Sequence, residues 1–192
     1  MSADGFAHAW NAEVLQGPPL IAPARQYTWP LAIPGEEDAM ARGALQVMVR
    51  PAEGGSFLAN CALGFVDPAM PSGVWACPRA SELCAVAGGY AYIADVRTPE
   101  RCTHLALRPV VAIHVASEAG LLLFAGFQTV IAWGPDGLAW ESPRLSWDGL
   151  KIEEVEGYEA RGSGWDLVAD EDVPFRIDLR TGNARGGGYR LR

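Results

Sequence analysis

Lysine is nearly absent from this chain: of its 15 basic residues only Lys151 is not arginine, and acids outnumber them at 23. The arginine bias points to a GC-rich bacterial coding sequence. The net charge of −8 disfavours attraction to polyanions, so neither nucleic acid nor an anionic membrane surface is expected as a partner. Long hydrophobic runs are also missing. The longest, residues 119–127, is broken by Gly120 and Gly126 and falls well short of the roughly twenty residues a bilayer-spanning helix requires. The Met-Ser-Ala-Asp-Gly start carries neither a basic cluster nor an apolar stretch, so no targeting segment is expected and the expected compartment is the cytoplasm.

Cysteine and histidine, the usual carriers of metal and nucleophilic chemistry, are equally sparse. Cys61, Cys77, Cys84 and Cys102 form neither a CxxC pair nor a zinc framework, so free thiols and no bound metal or cofactor are expected. Cys102 and His104 are the one Cys/His pair close in sequence. On a strand, however, residues two apart stand side by side, and no third orienting group is legible. Gly162-Ser163-Gly164 lacks the strand-to-helix setting of a nucleophile elbow, and Gly186-Gly187-Gly188 lacks the Lys-Ser/Thr of a phosphate loop. Both read as loops.

What is present is a chain of ordinary globular composition, 49% hydrophobic and 20% charged, long enough at 192 residues to fold without disulfides or metals. Residues 1–35 hold Pro18, Pro19, Pro23, Pro30 and Pro34, which break any sustained element, yet also Leu15, Leu20, Ile21, Tyr27, Trp29, Leu31 and Ile33. So much apolar surface on a non-periodic segment predicts an extended arm packed on the body or on a neighbouring subunit. Residues 36–192 are then expected to form a single β-rich domain.

Within that domain, Glu36-Glu37-Asp38 ahead of Gly43 predicts one short helix over 36–43, with acids at its positive end. Strands are expected over 44–50, 57–66, 90–96, 105–116, 121–133, 138–141, 173–179 and 184–191, punctuated by Asp67-Pro68, Gly88-Gly89, Pro135-Asp136-Gly137, Asp148-Gly149 and Thr181-Gly182-Asn183. Phe175, Ile177 and Leu179 alternate with Arg176, Asp178 and Arg180, one face dry and one wet. Residues 121–133 are apolar on both faces, as for a central strand covered on both sides, with Gly126 a bend. The expected fold is all-β and mainly antiparallel: a β-sandwich or strongly curved, barrel-like sheet with that one helix. The windows 131–137 and 177–182, which run strand, turn, glycine, resemble the blade ends of quinoprotein-type propellers. That resemblance implies a small β-propeller as the minority alternative, for which this chain length is the bare minimum.

Three features are candidates for function. Tryptophan is enriched between Trp75 and Trp165, and Tyr90, Tyr92, Trp133 and Trp140 are the residues expected to line a small-molecule pocket if one exists. Aromatics near turns more often plug the ends of a β core. Asp166, Asp170 and Asp172 are weak calcium candidates, being carboxylates on one loop, though their spacing matches no EF-hand or repeat-type loop. Finally, eight acids between Glu153 and Asp172 precede an arginine-rich stretch beginning at Arg176. Pairing within hairpins explains this simply, whereas pairing across a subunit boundary would give a homodimer or a protein partner. The expected function is a non-catalytic binding or assembly component of a bacterial cytoplasmic system, with a small-molecule-binding or catalytic β-barrel as the alternative.

Overall fold

The computed structural model describes residues 5–30 and 39–189. Its strands form four separate four-stranded sheets, and the chain divides into two compact units, Met1–Pro109 and Val110–Arg192. The first unit holds sheet 1, built from β1 (Trp10–Val14), β2 (Arg25–Trp29), β3 (Ala44–Pro51) and β4 (Phe57–Ala62). It also holds sheet 2, built from β5 (Gly73–Ala76), β6 (Glu82–Ala87), β7 (Tyr90–Asp95) and β8 (Cys102–His104). The second unit holds sheet 3, with β9 (Ala112–Ala116), β10 (Leu121–Ala125), β11 (Val130–Gly134) and β12 (Gly137–Glu141). Sheet 4 comprises β13 (Lys151–Glu156), β14 (Glu159–Asp166), β15 (Glu171–Asp178) and β16 (Ala184–Gly186).

Sheets 2, 3 and 4 are antiparallel meanders in chain order. Sheet 1 is not. Its order is β1-β3-β4-β2, with β2 parallel to β4, so residues 15–24 carry the chain from one edge of the sheet to the other. The segment expected to be an extended arm therefore supplies both edge strands of sheet 1. Two buried tryptophans hold these strands down: Trp10 donates its indole N–H to the Glu82 carbonyl at 3.1 Å, and Trp29 donates to the Pro99 carbonyl at 3.1 Å.

Each unit has its own core. In the first, Val47, Val49, Phe57, Ala59 and Cys61 of sheet 1 cluster with Leu83, Ala85, Tyr92 and Ala94 of sheet 2. In the second, Leu121, Leu123, Ala125 and Ala132 of sheet 3 cluster with Ile152, Ala160, Phe175 and Ile177 of sheet 4. The period-two alternation of β3 and β15 places every second side chain in these clusters, each large one contributing about 1.5–3 kcal/mol by leaving water.

Several expectations are corrected. The strands do not make one sandwich or one barrel-like sheet: they divide among four sheets, and no barrel closure is found. The windows 131–137 and 177–182 occupy corresponding hairpins, β11–β12 and β15–β16. No α-helix occurs among the described residues. Of the stretch 36–43, residues 36–38 lie outside the described residues, and Ala39–Arg42 forms a single 3-10 turn. A single turn of four residues fixes too few hydrogen bonds to stand as an α-helix. The expected strand over 121–133 is a hairpin, β10–β11, closed by the hydrogen bond from the Gly126 amide to the Thr129 carbonyl at 2.9 Å. Phe65, within the expected strand 57–66, lies beyond the end of β4 and is 41% exposed.

Candidate interaction face on the fourth sheet

The fourth sheet buries one face and leaves the other in water. Ala160, Phe175 and Ile177 point into the core, so alternation sends Arg161, Arg176 and Asp178 outward. Register aligns the outward residues into rows across the strands. One row runs Glu154, Arg161, Arg176, Arg185, one residue per strand. Above it lies Lys151, Ser163, Pro174, then Trp165 beside Asp172; below it lies Glu156, Glu159, Asp178.

Three arginines in direct cross-strand succession are unfavourable, because opposed like charges sit about 4.5–5.5 Å apart at Cβ. The chain offsets this unevenly. Arg161 is well held, with Nε on Glu159 at 2.6 Å and Nη1 on Glu154 at 3.1 Å, and the Glu159 hydrogen bond holds its pKa above the ordinary value. Among the described residues Arg176 reaches only Glu159, at 3.6 Å, and Lys151 reaches Asp172 at 3.9 Å. Arg185, on edge strand β16, makes no ion pair or hydrogen bond with any described residue. Two shallow grooves of about 400 Å³ flank the Arg176–Arg185 pair. One lies over Glu153, Gly162, Pro174 and Gly186, the other beside Glu159, Asp178 and Asn183. The acid-then-base order of the sequence thus becomes hairpin pairs within the chain plus a partly unsatisfied basic ridge.

The residues expected to line a ligand pocket fall in different units. Tyr90 and Tyr92 belong to sheet 2, where both are buried and both pack on His104, at ring distances of 5.2 and 4.9 Å. The Tyr92 hydroxyl donates to the Ala62 carbonyl at 2.9 Å. Arg42 and Arg108 stand 5.9 and 5.8 Å from the Tyr90 ring, and Phe65 meets its edge. Trp133 and Trp140 lie on the paired strands β11 and β12. Trp133 is buried. Trp140 is half-buried, donates to the Leu179 carbonyl at 2.8 Å and lies against Gly182, whose φ of +74° no side chain would readily adopt.

Asp166 and Asp170 are committed to the β14–β15 turn, whereas Asp172 lies on β15 and reaches Lys151 at 3.9 Å. Asp166 accepts from the Val168 and Ala169 amides at 2.8 and 3.2 Å, and Asp170 accepts from the Trp165 indole at 3.2 Å. Among the described residues no three His, Cys, Asp or Glu side chains are grouped to hold a metal. Burial pushes the Cys102 thiol up to about 12, which favours its protonated form. The same burial pushes the Cys61, Cys77 and Cys84 thiols up.

Sequence reasoning marked Arg176 and Arg185 only as part of a basic stretch. Their alignment with Arg161 depends on pairings between strands that local pattern does not encode. A fold of four small sheets with one charged, solvent-facing sheet surface defines this chain as an all-β protein. No helix among its described residues is long and apolar enough to cross a membrane. No protein-family model matches it, and no curated protein matches it.

Proposed function

We propose that the protein is a non-catalytic binding or assembly component of a bacterial cytoplasmic system, and that the outer face of the fourth sheet is its docking surface. The observation that carries this reading is the Arg161–Arg176–Arg185 row. Exposed like charges in direct register weaken an isolated sheet, and a partner that supplies carboxylates there removes that cost. A photoreactive phenylalanine analogue placed at position 185, with one at the exposed Arg97 as control, tests it in cell extract. A discrete covalent protein adduct from position 185 alone is expected. No adduct, or identical adducts from both positions, would remove the assignment.

A second reading, small-molecule binding, is favoured by one feature of the first unit: two guanidinium groups within 6 Å of the Tyr90 ring, beside partly exposed Phe65. Such a cluster suits an anionic ligand with a flat apolar part. A saturable change in tryptophan fluorescence across a panel of carboxylated and phosphorylated metabolites, lost in Arg108→Ala, is the expected result. An unresponsive panel leaves the assembly reading alone.

A further inference from the structure

We propose that the outer face of the fourth sheet packs against the same face of a second copy, across a two-fold axis running along the Lys151–Ser163–Pro174 row. This deepens the assembly reading above and rests on it. The argument begins from the order of charge along β15. Its outward side chains are Asp172, Pro174, Arg176 and Asp178, so the small apolar Pro174 stands midway between an acid and a base. A two-fold axis reverses that order in the partner. Taken through Pro174, it lays Asp172 of each copy over Arg176 of the other, each about 6.8 Å from the axis, two residues along the strand.

On the neighbouring strand β14 the same operation brings together a further pair. Trp165, in register with Asp172, falls over Arg161 of the second copy, where a guanidinium stacks on an indole face. The pairs that would be exchanged are the loosely held ones. Among the described residues Asp172 has only Lys151 at 3.9 Å and Arg176 only Glu159 at 3.6 Å, with side chains 51% and 66% exposed, whereas the short Arg161–Glu159 bond stays inside each chain. The groove over Gly162 and Pro174 lies close to the axis and accepts the partner's Pro174 or bridging water.

Sheets packed face to face run nearly aligned about 10 Å apart, so two four-stranded faces cover roughly 500 Å² per copy, the small end of specific interfaces. Association is therefore expected with a dissociation constant on the order of 10–100 µM. At about 0.15 M salt the overall charge of each copy is screened beyond ~8 Å, and the facing pairs decide the outcome.

Light scattering and sedimentation at ~200 µM protein test this with Asp172→Arg and Arg176→Asp. Wild type should associate as a dimer. Each variant alone places like charges face to face and should weaken association at least tenfold. An equimolar mixture of the two should recover it, because both contacts of the mixed dimer are then of opposite sign. Recovery also shows that both variants are folded. A monomeric wild type, dimers that persist in both variants, or a mixture that stays monomeric would each overturn the proposal. If the wild type is monomeric while the position-185 cross-link captures a different protein, self-pairing fails and the assembly reading stands.

Discussion

Sheets 3 and 4 belong to one unit and share one core, yet they treat their second faces in opposite ways. In β10 and β11 every residue is buried, from Leu121 to Ala125 and from Val130 to Gly134. In β15 only Phe175 and Ile177 are buried, Val173 is half-buried, and Asp172, Pro174, Arg176 and Asp178 are exposed. A strand that is apolar at every position must be covered on both sides, whereas one that alternates needs cover on one side only. The wet face is then free to carry charge, and in this protein it carries charge in rows. The lesson is that the sheet with weaker hydrophobic demand is the one available for recognition.

The contrast is broken most directly by truncating the cores. Phe124→Ala, fully buried in sheet 3, is expected to cost about 3–5 kcal/mol, and Ile177→Ala, on the dry face of sheet 4, about 2–5 kcal/mol in urea unfolding. A loss below about 1 kcal/mol at Ile177 would mean that sheet 4 does not cover the core. A smaller effect is expected at the contact where the two sheets meet through Trp140. Gly182→Ala sets a side chain at φ +74° and brings a Cβ to 2.8 Å from the Trp140 ring, which should cost about 1–3 kcal/mol and shift the indole fluorescence. An unchanged midpoint and spectrum would show that Trp140 does not rest on that turn.

Sheet 3 should also carry a pH signature that sheet 4 lacks. His114 of β9 buries its Nε2 with no hydrogen-bond partner among the described residues, and burial pushes its pKa below the ordinary 6.5. The folded state therefore prefers the neutral ring. Its contribution to stability is complete above pH 6.5 and is lost as the pH falls from there through the lowered folded value. His114→Gln should flatten the stability profile in that window relative to wild type, and parallel profiles would assign the acid sensitivity elsewhere. The smallest effect is expected on the wet face: Arg176→Ala should change the stability of the monomer by less than ~0.5 kcal/mol, since its one ion pair is long and exposed. A larger loss, measured in dilute protein, would make the ridge structural and weaken its reading as a docking surface.

How much of this was legible in the sequence varies by element. The alternation of β3 and β15 and the turns at Gly137 and Gly182 were readable, because a period of two and a positive φ leave local marks. The hairpin at Gly126–Thr129 was hidden inside an apolar run. Two strands buried on both faces read as one long strand when the turn between them is short and only its glycine is conspicuous. The prolines of residues 18–30 suggested an arm, yet β1 and β2 need only five residues each and take their hydrogen bonds from edge positions that tolerate nearby prolines. For the candidate face, the acidic and basic stretches were visible as composition, and Pro174 appeared only as a proline inside a strand.

The sequence by itself determined an acidic, all-β chain, its antiparallel hairpins and the dry-and-wet character of β15, because these follow from side-chain periodicity and turn chemistry within a few residues. The tertiary structure alone decided that β2 joins β4 in parallel across the chain, that the strands divide into four sheets with two cores, and that Arg161, Arg176 and Arg185 stand in one row. Those outcomes depend on register and on which apolar faces find each other. Register is settled by burial summed over strands distant in sequence, and no local pattern contains that sum.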